Sequence, residues 1–144
     1  MLELAEVRQE DVVYDLGSGD GRIVIAAARK YGVKAIGFEI DPELVKHSRE
    51  NIKKAGLEHL AEIREQDILT VDLSAATVLT MYLLPSVNME LRPKVLKELR
   101  PGARIVSHAF EMGGWKAARV EQIQDAAGIS RTVYLWRIRD RDGR

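Results

Sequence analysis

Apolar residues in this chain fall into short runs, separated by glycine- and proline-containing breaks and by stretches with helical spacing. Val12-Val13-Tyr14-Asp15-Leu16 is a nearly continuous apolar run that ends in glycines, the pattern of a buried strand. Asp20 is placed to cap a helix that runs through Ile23, Ile25, Ala26, Ala27 and Ala28 toward Lys30, and Gly32 stops it. Lys34-Ala35-Ile36-Gly37-Phe38 predicts a second strand. Asp41-Pro42-Glu43 opens the next helix with a capping aspartate, a proline at the first helical position and an acid in the first turn. That helix carries Leu44, Val45, His47, Ser48 and Ile52 and ends at Gly56.

Residues 61–66 alternate weakly and predict a third strand; residues 76–82 are apolar enough for a central fourth. Only Asp67 to Ala75 lie between them, so any helix there is very short. Pro85 breaks the chain, and a helix follows over about 88–99 with Leu91, Val95, Leu96 and Leu99 on one face. After the Arg100-Pro101-Gly102 turn, residues 103–107, 120–123 and 132–138 predict three more strands. Strand–helix alternation predicts an α/β fold, a doubly wound, mostly parallel seven-stranded sheet with helices on both faces. The last two strands lack room for a crossover helix and close the sheet as an antiparallel hairpin at one edge. Residues 139–144 read as a frayed surface tail.

Composition narrows the class. At 144 residues, 46% hydrophobic and 31% charged, the chain suits one globular domain. It has no cysteine, which excludes a disulfide scaffold, a cysteine zinc site and a thiol nucleophile; no metal site is expected. Neither a membrane span nor a signal-peptide pattern is visible, so a cytoplasmic location and no membrane partner are expected. Its 22 basic and 22 acidic side chains cancel, which argues against a polybasic nucleic-acid binder. The zero is asymmetric: residues 1–72 carry a net charge of −5 and residues 73–144 carry +5.

The sharpest chemical signal is Asp15-Leu16-Gly17-Ser18-Gly19-Asp20-Gly21-Arg22, between the first strand and the first helix. Sheets of this kind bind nucleotide-type cofactors at that point. Glycines let the backbone turn tightly and approach a ligand, and Glu39 ends the second strand where a carboxylate can accept ribose hydroxyls. A dinucleotide loop spaces three glycines as GxGxxG and presents a helix terminus to pyrophosphate. Here acids open and close the loop, which repels a pyrophosphate and suits an ammonium or sulfonium group. That favours S-adenosylmethionine over NAD.

The loop, the Phe38-Glu39-Ile40-Asp41 strand end and the segment Arg64-Glu65-Gln66-Asp67-Ile68-Leu69 resemble the first three cofactor motifs of class I S-adenosylmethionine-dependent methyltransferases, over about residues 11–138. The resemblance implies a Rossmann-like fold. It implies that Asp15, Gly17, Ser18, Gly19 and Asp20 hold the methionine part of the cofactor. It assigns Glu39 to the ribose, Ile40 to the adenine face, and Asp67 with Ile68 to the adenine edge. The other reading of Asp67 is a turn or cap residue.

In this family the end of the fourth strand faces the methyl acceptor. Enzymes for adenine or glutamine amides carry an Asn/Asp-Pro-Pro-Tyr-type sequence there, whereas this chain has Met81-Tyr82-Leu83-Leu84-Pro85. With residues 101–110, Pro-Gly-Ala-Arg-Ile-Val-Ser-His-Ala-Phe, it looks more like the small archaeal and mitochondrial-type protein-lysine methyltransferases. That likeness implies a protein substrate with an accessible lysine and makes Tyr82 the candidate lining of the acceptor channel; a half-buried strand tyrosine is the alternative. His108 is read as structural, and Trp115 and Trp136 as packing residues. Family members carry an N-terminal segment that helps close the site, and about ten residues precede the first strand here, so the expectation is one domain over 1–144 with a short or truncated lid. An acidic rim, suited to a cationic acceptor, is expected from the charge split. The competing readings are a small-molecule methyltransferase, a cofactor-binding module without activity, and an NAD oxidoreductase.

Overall fold

The computed structural model describes residues 2–83, 85–108, 117–124 and 128–138. In chain order the elements are β1 (Val12–Leu16), α1 (Arg22–Tyr31), β2 (Lys34–Glu39), α2 (Pro42–Ala55), β3 (Ala61–Glu65), a single 3-10 turn (Ile68–Thr70), β4 (Val78–Met81), α3 (Pro85–Glu98), β5 (Arg104–His108), β6 (Arg119–Gln124) and β7 (Ser130–Arg137). They form one seven-stranded sheet in the order β3-β2-β1-β4-β5-β7-β6. β1 to β5 run parallel. β7 pairs antiparallel with both β5 and β6, which is the expected hairpin, folded so that its second strand lies inside and its first forms the edge. The sequence-based architecture is therefore the observed one.

Local signals explain most boundaries. Asp41 caps α2 by accepting the Glu43 amide at 2.9 Å, Pro42 is the first helical residue, and Gly56 closes the helix at φ 68°. α3 starts at Pro85 rather than near Asn88, because a proline that lacks an N–H loses nothing at the first turn. α1 corrects the expected cap. Gly21, at φ 83°, occupies the cap position, and Asp20 lies one residue earlier, with its carboxylate accepting the Arg22 amide at 3.1 Å.

Alternating strand residues feed two cores. Val13, Val24, Ala28, Val45, Ile52 and Val133 pack on the α1–α2 face. Tyr14, Leu79, Leu91, Val95, Ile105 and Trp136 pack on the α3 face, with Trp136 buried as expected. The α1 side also takes Leu2, Leu4, Ala5 and Val7. Arg104, the first residue of β5, donates to the carbonyls of Ala5 and Glu6 at 2.8 and 3.2 Å and pairs with Asp11 just before β1. Residues 2–11 are thus anchored at the N-terminal ends of β1 and β5, the opposite end of the sheet from the glycine loop. At the β3 edge, Arg49 of α2 donates to the Ile63 carbonyl at 3.0 Å and shields a backbone acceptor from a stray strand. Among the described residues no helix is long and apolar enough to cross a membrane.

Candidate functional site

The loop between β1 and α1 turns back on itself through three glycines at positive φ: Gly17 at 74°, Gly19 at 56° and Gly21 at 83°. A side chain in that backbone region is strained, which is why the segment needs glycine. The turn is pinned to β2, because the Phe38 carbonyl accepts from both the Gly17 and Ser18 amides, at 2.9 and 3.0 Å.

Two cavities meet at Gly17. One, of about 460 Å³, is bordered by Asp15, the loop, Asp20 and Tyr82. The second, of about 370 Å³, is bordered by Glu39, Ile40, Asp67 and Ile68. Every site residue expected from the sequence therefore borders one cavity or the other, with Gly17 on both.

Their environments differ. Asp15 is buried between β2 and β4, opposite Gly37 and Thr80 in register. The Thr80 hydroxyl donates to its carboxylate at 2.7 Å. Burial pushes the Asp15 carboxyl up to about 7, the Thr80 hydrogen bond opposes this, and the nearby Glu39 and Asp20 charges add to it. Glu39 is held as an acceptor: one oxygen takes the Gly19 amide at 2.9 Å and the other takes the Ile40 and Asp41 amides at 3.0 and 3.1 Å. A carboxylate offers about four acceptor positions, so about one remains beyond these three bonds. Asp67 caps the 3-10 turn through the Leu69 amide at 3.0 Å, which is the turn or cap reading, and it also borders the cavity. Ile40 is exposed and Ile68 half-buried at the same cavity. The Ser18 hydroxyl is buried over Gly37 without a hydrogen-bond partner, so Ser18 meets the cavity through other atoms.

Gly37 is the residue that sequence reasoning missed. A Cβ there would sit 2.6 Å from the Ser18 Cβ and 2.8 Å from Ile63 Cδ1. The signal was a glycine inside an apolar strand, which marks close backbone approach. Gly37→Ala is expected to cost about 1–3 kcal/mol of stability by overpacking and to weaken ligand binding at the loop in parallel. Chemical denaturation and calorimetry with S-adenosylhomocysteine check both, and a variant with unchanged affinity would separate the loop's conformation from binding.

The larger cavity departs from the expected acidic rim. Asp15 is buried, Asp20 is paired with Arg22 at 3.1 Å, and Arg22 and Arg131 both border the opening. Ile23, Ile123 and His108 complete its wall. Arg131 and Ile123 come from the expected β6–β7 hairpin, but no local pattern announces that these two residues reach the cavity beside the glycine loop. Trp115 lies outside the described residues.

The family model of the ANTKMT methyltransferase domain matches residues 15–119, from Asp15 of the loop into β6. The chain belongs to the ANTKMT methyltransferase family. A protein-lysine N-methyltransferase of Saccharolobus islandicus is 49% identical to this methyltransferase over 94% of the chain and 84% of that protein. The adenine nucleotide translocase lysine N-methyltransferase of Mus musculus is 38% identical over 74% of the chain, which spans about half of that relative, 46%. The crystal structure of an RNA methyltransferase from Salinibacter ruber in complex with S-adenosyl-L-homocysteine is 53% identical, with a TM-score of 0.89 over 96% of this chain and 88% of that one. The methyltransferase is accordingly an S-adenosylmethionine-dependent enzyme.

Proposed function

We propose that this methyltransferase transfers a methyl group from S-adenosylmethionine to lysine amino groups of protein acceptors in the cytoplasm, and that residues 1–144 act as one domain. The observation that carries the lysine reading is the 49% identity, over most of both chains, to a protein-lysine N-methyltransferase. The cavity beside the loop is consistent with it. Among the described residues lining it there is no side-chain amide, the group that would hold an exocyclic base amine.

The residues present fit the cofactor. Gly19 borders open space, since a Cβ there would meet nothing within 4 Å, so a ligand can approach its backbone. In this proposal Asp15, Gly17, Ser18, Gly19 and Asp20 hold the methionine end, and Glu39 keeps its open acceptor position for the ribose. Ile40 and Ile68 cover the adenine, and Asp67 stands at its edge. When bound, the cofactor supplies an electrophilic sulfonium methyl group. The chain's own contribution is placement: the loop fixes one reactant, and Tyr82 at the same cavity fixes the approach of the other. A lysine attacks only as the neutral amine, and its free pKa is ~10.4. The apolar surfaces of Ile23, Ile123 and Tyr82 favour the neutral form over the ammonium.

An RNA acceptor is the second reading, favoured by the 53% identical structure described as an RNA methyltransferase. Labelled cofactor incubated with denatured protein and with RNA, assayed separately, decides between them. Label in methyl-lysine is expected; label only in RNA overturns the protein reading. Glu39→Ala tests the cofactor map, with an expected loss of about 1–3 kcal/mol in S-adenosylhomocysteine affinity for the ribose hydroxyls left unpaired. Wild-type affinity in that variant would remove Glu39 from the site.

A further inference from the structure

Tyr82 follows the last residue of β4, and His108 is the last residue of β5. Met81 and Ser107 are register partners, so Tyr82 and His108 come next to each other one step further along the same two parallel strands. Their rings meet at right angles, with centroids 4.3 Å apart and an interplanar angle of 77°. This is the edge-to-face arrangement that aromatic quadrupoles favour. Both residues border the cavity that the glycine loop and Asp15 also border.

The two residues are not held alike. Tyr82 is 55% exposed, so no core packing selects its rotamer. His108 is half-buried at the strand end. A half-buried ring set against an exposed one restricts the exposed one. A corner of two perpendicular ring surfaces then offers an apolar slot for an alkyl stem and a face for a cationic or neutral amine.

We infer that His108 is a positioning and specificity-determining residue for the methyl acceptor, bracing Tyr82 so that the two rings form a right-angled corner that receives an alkylamine side chain. The inference rests on the lysine reading above. His108 acts through its ring, as a surface, and through Tyr82. The residues proposed to hold the cofactor belong to the glycine loop and the ends of β1, β2 and β3, and His108 is not among them.

The test compares His108→Leu, which keeps apolar bulk without a ring, with His108→Phe, which keeps the ring without its nitrogens. Each is combined with Tyr82→Ala, a change at an exposed position. Denatured whole-cell protein serves as acceptor, methyl-lysine is quantified after hydrolysis, and S-adenosylhomocysteine affinity is measured by calorimetry. His108→Leu is expected to raise the half-saturating acceptor concentration at least tenfold. The maximal rate should stay within about threefold and S-adenosylhomocysteine affinity within about twofold. His108→Phe is expected to restore most of the loss. In the Tyr82→Ala background His108→Leu should add less than about twofold, because a brace has nothing left to hold. Effects that multiply in the double variant, a His108→Phe variant as defective as His108→Leu, or a parallel loss of cofactor affinity would each overturn the inference. Absence of methyl-lysine with the unmodified enzyme would overturn the lysine reading itself, and this inference with it.

Discussion

Asp15→Asn is expected to make the protein more stable at pH 8, by up to about 4 kcal/mol, while weakening its hold on the cofactor. The Asp15 carboxyl is raised to about 7 from an ordinary value near 3.8, chiefly because it is buried, with Glu39 and Asp20 adding negative potential. A raised folded-state value means that the folded protein binds this proton more tightly than the unfolded chain does. The resulting stability is full below about pH 3.8 and is lost as pH rises through about 7. Each pH unit in that window is worth about 1.4 kcal/mol. Asparagine stays neutral throughout, keeps the shape and can still accept from Thr80, so it escapes the cost of a buried charge. The proposed ammonium of the cofactor reverses the preference: next to a cation the ionised carboxylate is favoured. S-adenosylhomocysteine affinity should therefore rise between pH 6 and pH 8 with release of up to one proton, and Asp15→Asn should lose both the slope and the release. Calorimetry in two buffers of different ionisation enthalpy measures the proton directly. An unchanged pH slope in the variant would assign the titration to another group.

Arg104→Ala acts in the opposite sense and should cost about 3–5 kcal/mol of stability at neutral pH, the range for removing one partner of a buried pair. Arg104 and Asp11 are both largely buried, at 12% and 6% side-chain exposure. Asp11 also accepts the Arg8 amide at 2.7 Å and the Thr77 hydroxyl at 2.8 Å. Burial raises the Asp11 carboxyl, but these hydrogen bonds and the Arg104 charge outweigh it and hold the group below its ordinary value. Its contribution is thus present above the usual carboxylate range and is lost as pH falls through the lowered value. Urea denaturation of the variant and the parent at pH 7 and near pH 3 checks this, since the difference should shrink in acid. The site lies at the other end of the sheet, so S-adenosylhomocysteine affinity of the folded variant should stay near that of the parent.

These two aspartates show how differently sequence and fold contribute. Asp15 was legible as a candidate site residue because its signal is local: a strand, then a glycine turn, then a helix. Asp11 was silent, because its partners Thr77 and Arg104 lie 66 and 93 residues away in the chain.

Elements defined by neighbours along the chain were determined by the sequence alone. The α2 start at Asp41-Pro42, its stop at Gly56, the apolar strands and the glycine loop all follow from capping, φ preferences and periodicity, which act within a few residues. The alternation of strands with helices was enough to predict a parallel sheet with a terminal hairpin. Tertiary structure alone decided what stands opposite what. It set Gly37 under Ser18, placed Tyr82 against His108, and brought Arg22 and Arg131 to a mouth for which the charge split predicted acids. The physical reason is that periodicity records how much of a residue is buried, whereas strand order and register determine by what. In a parallel sheet those neighbours come from strands separated by a whole crossover.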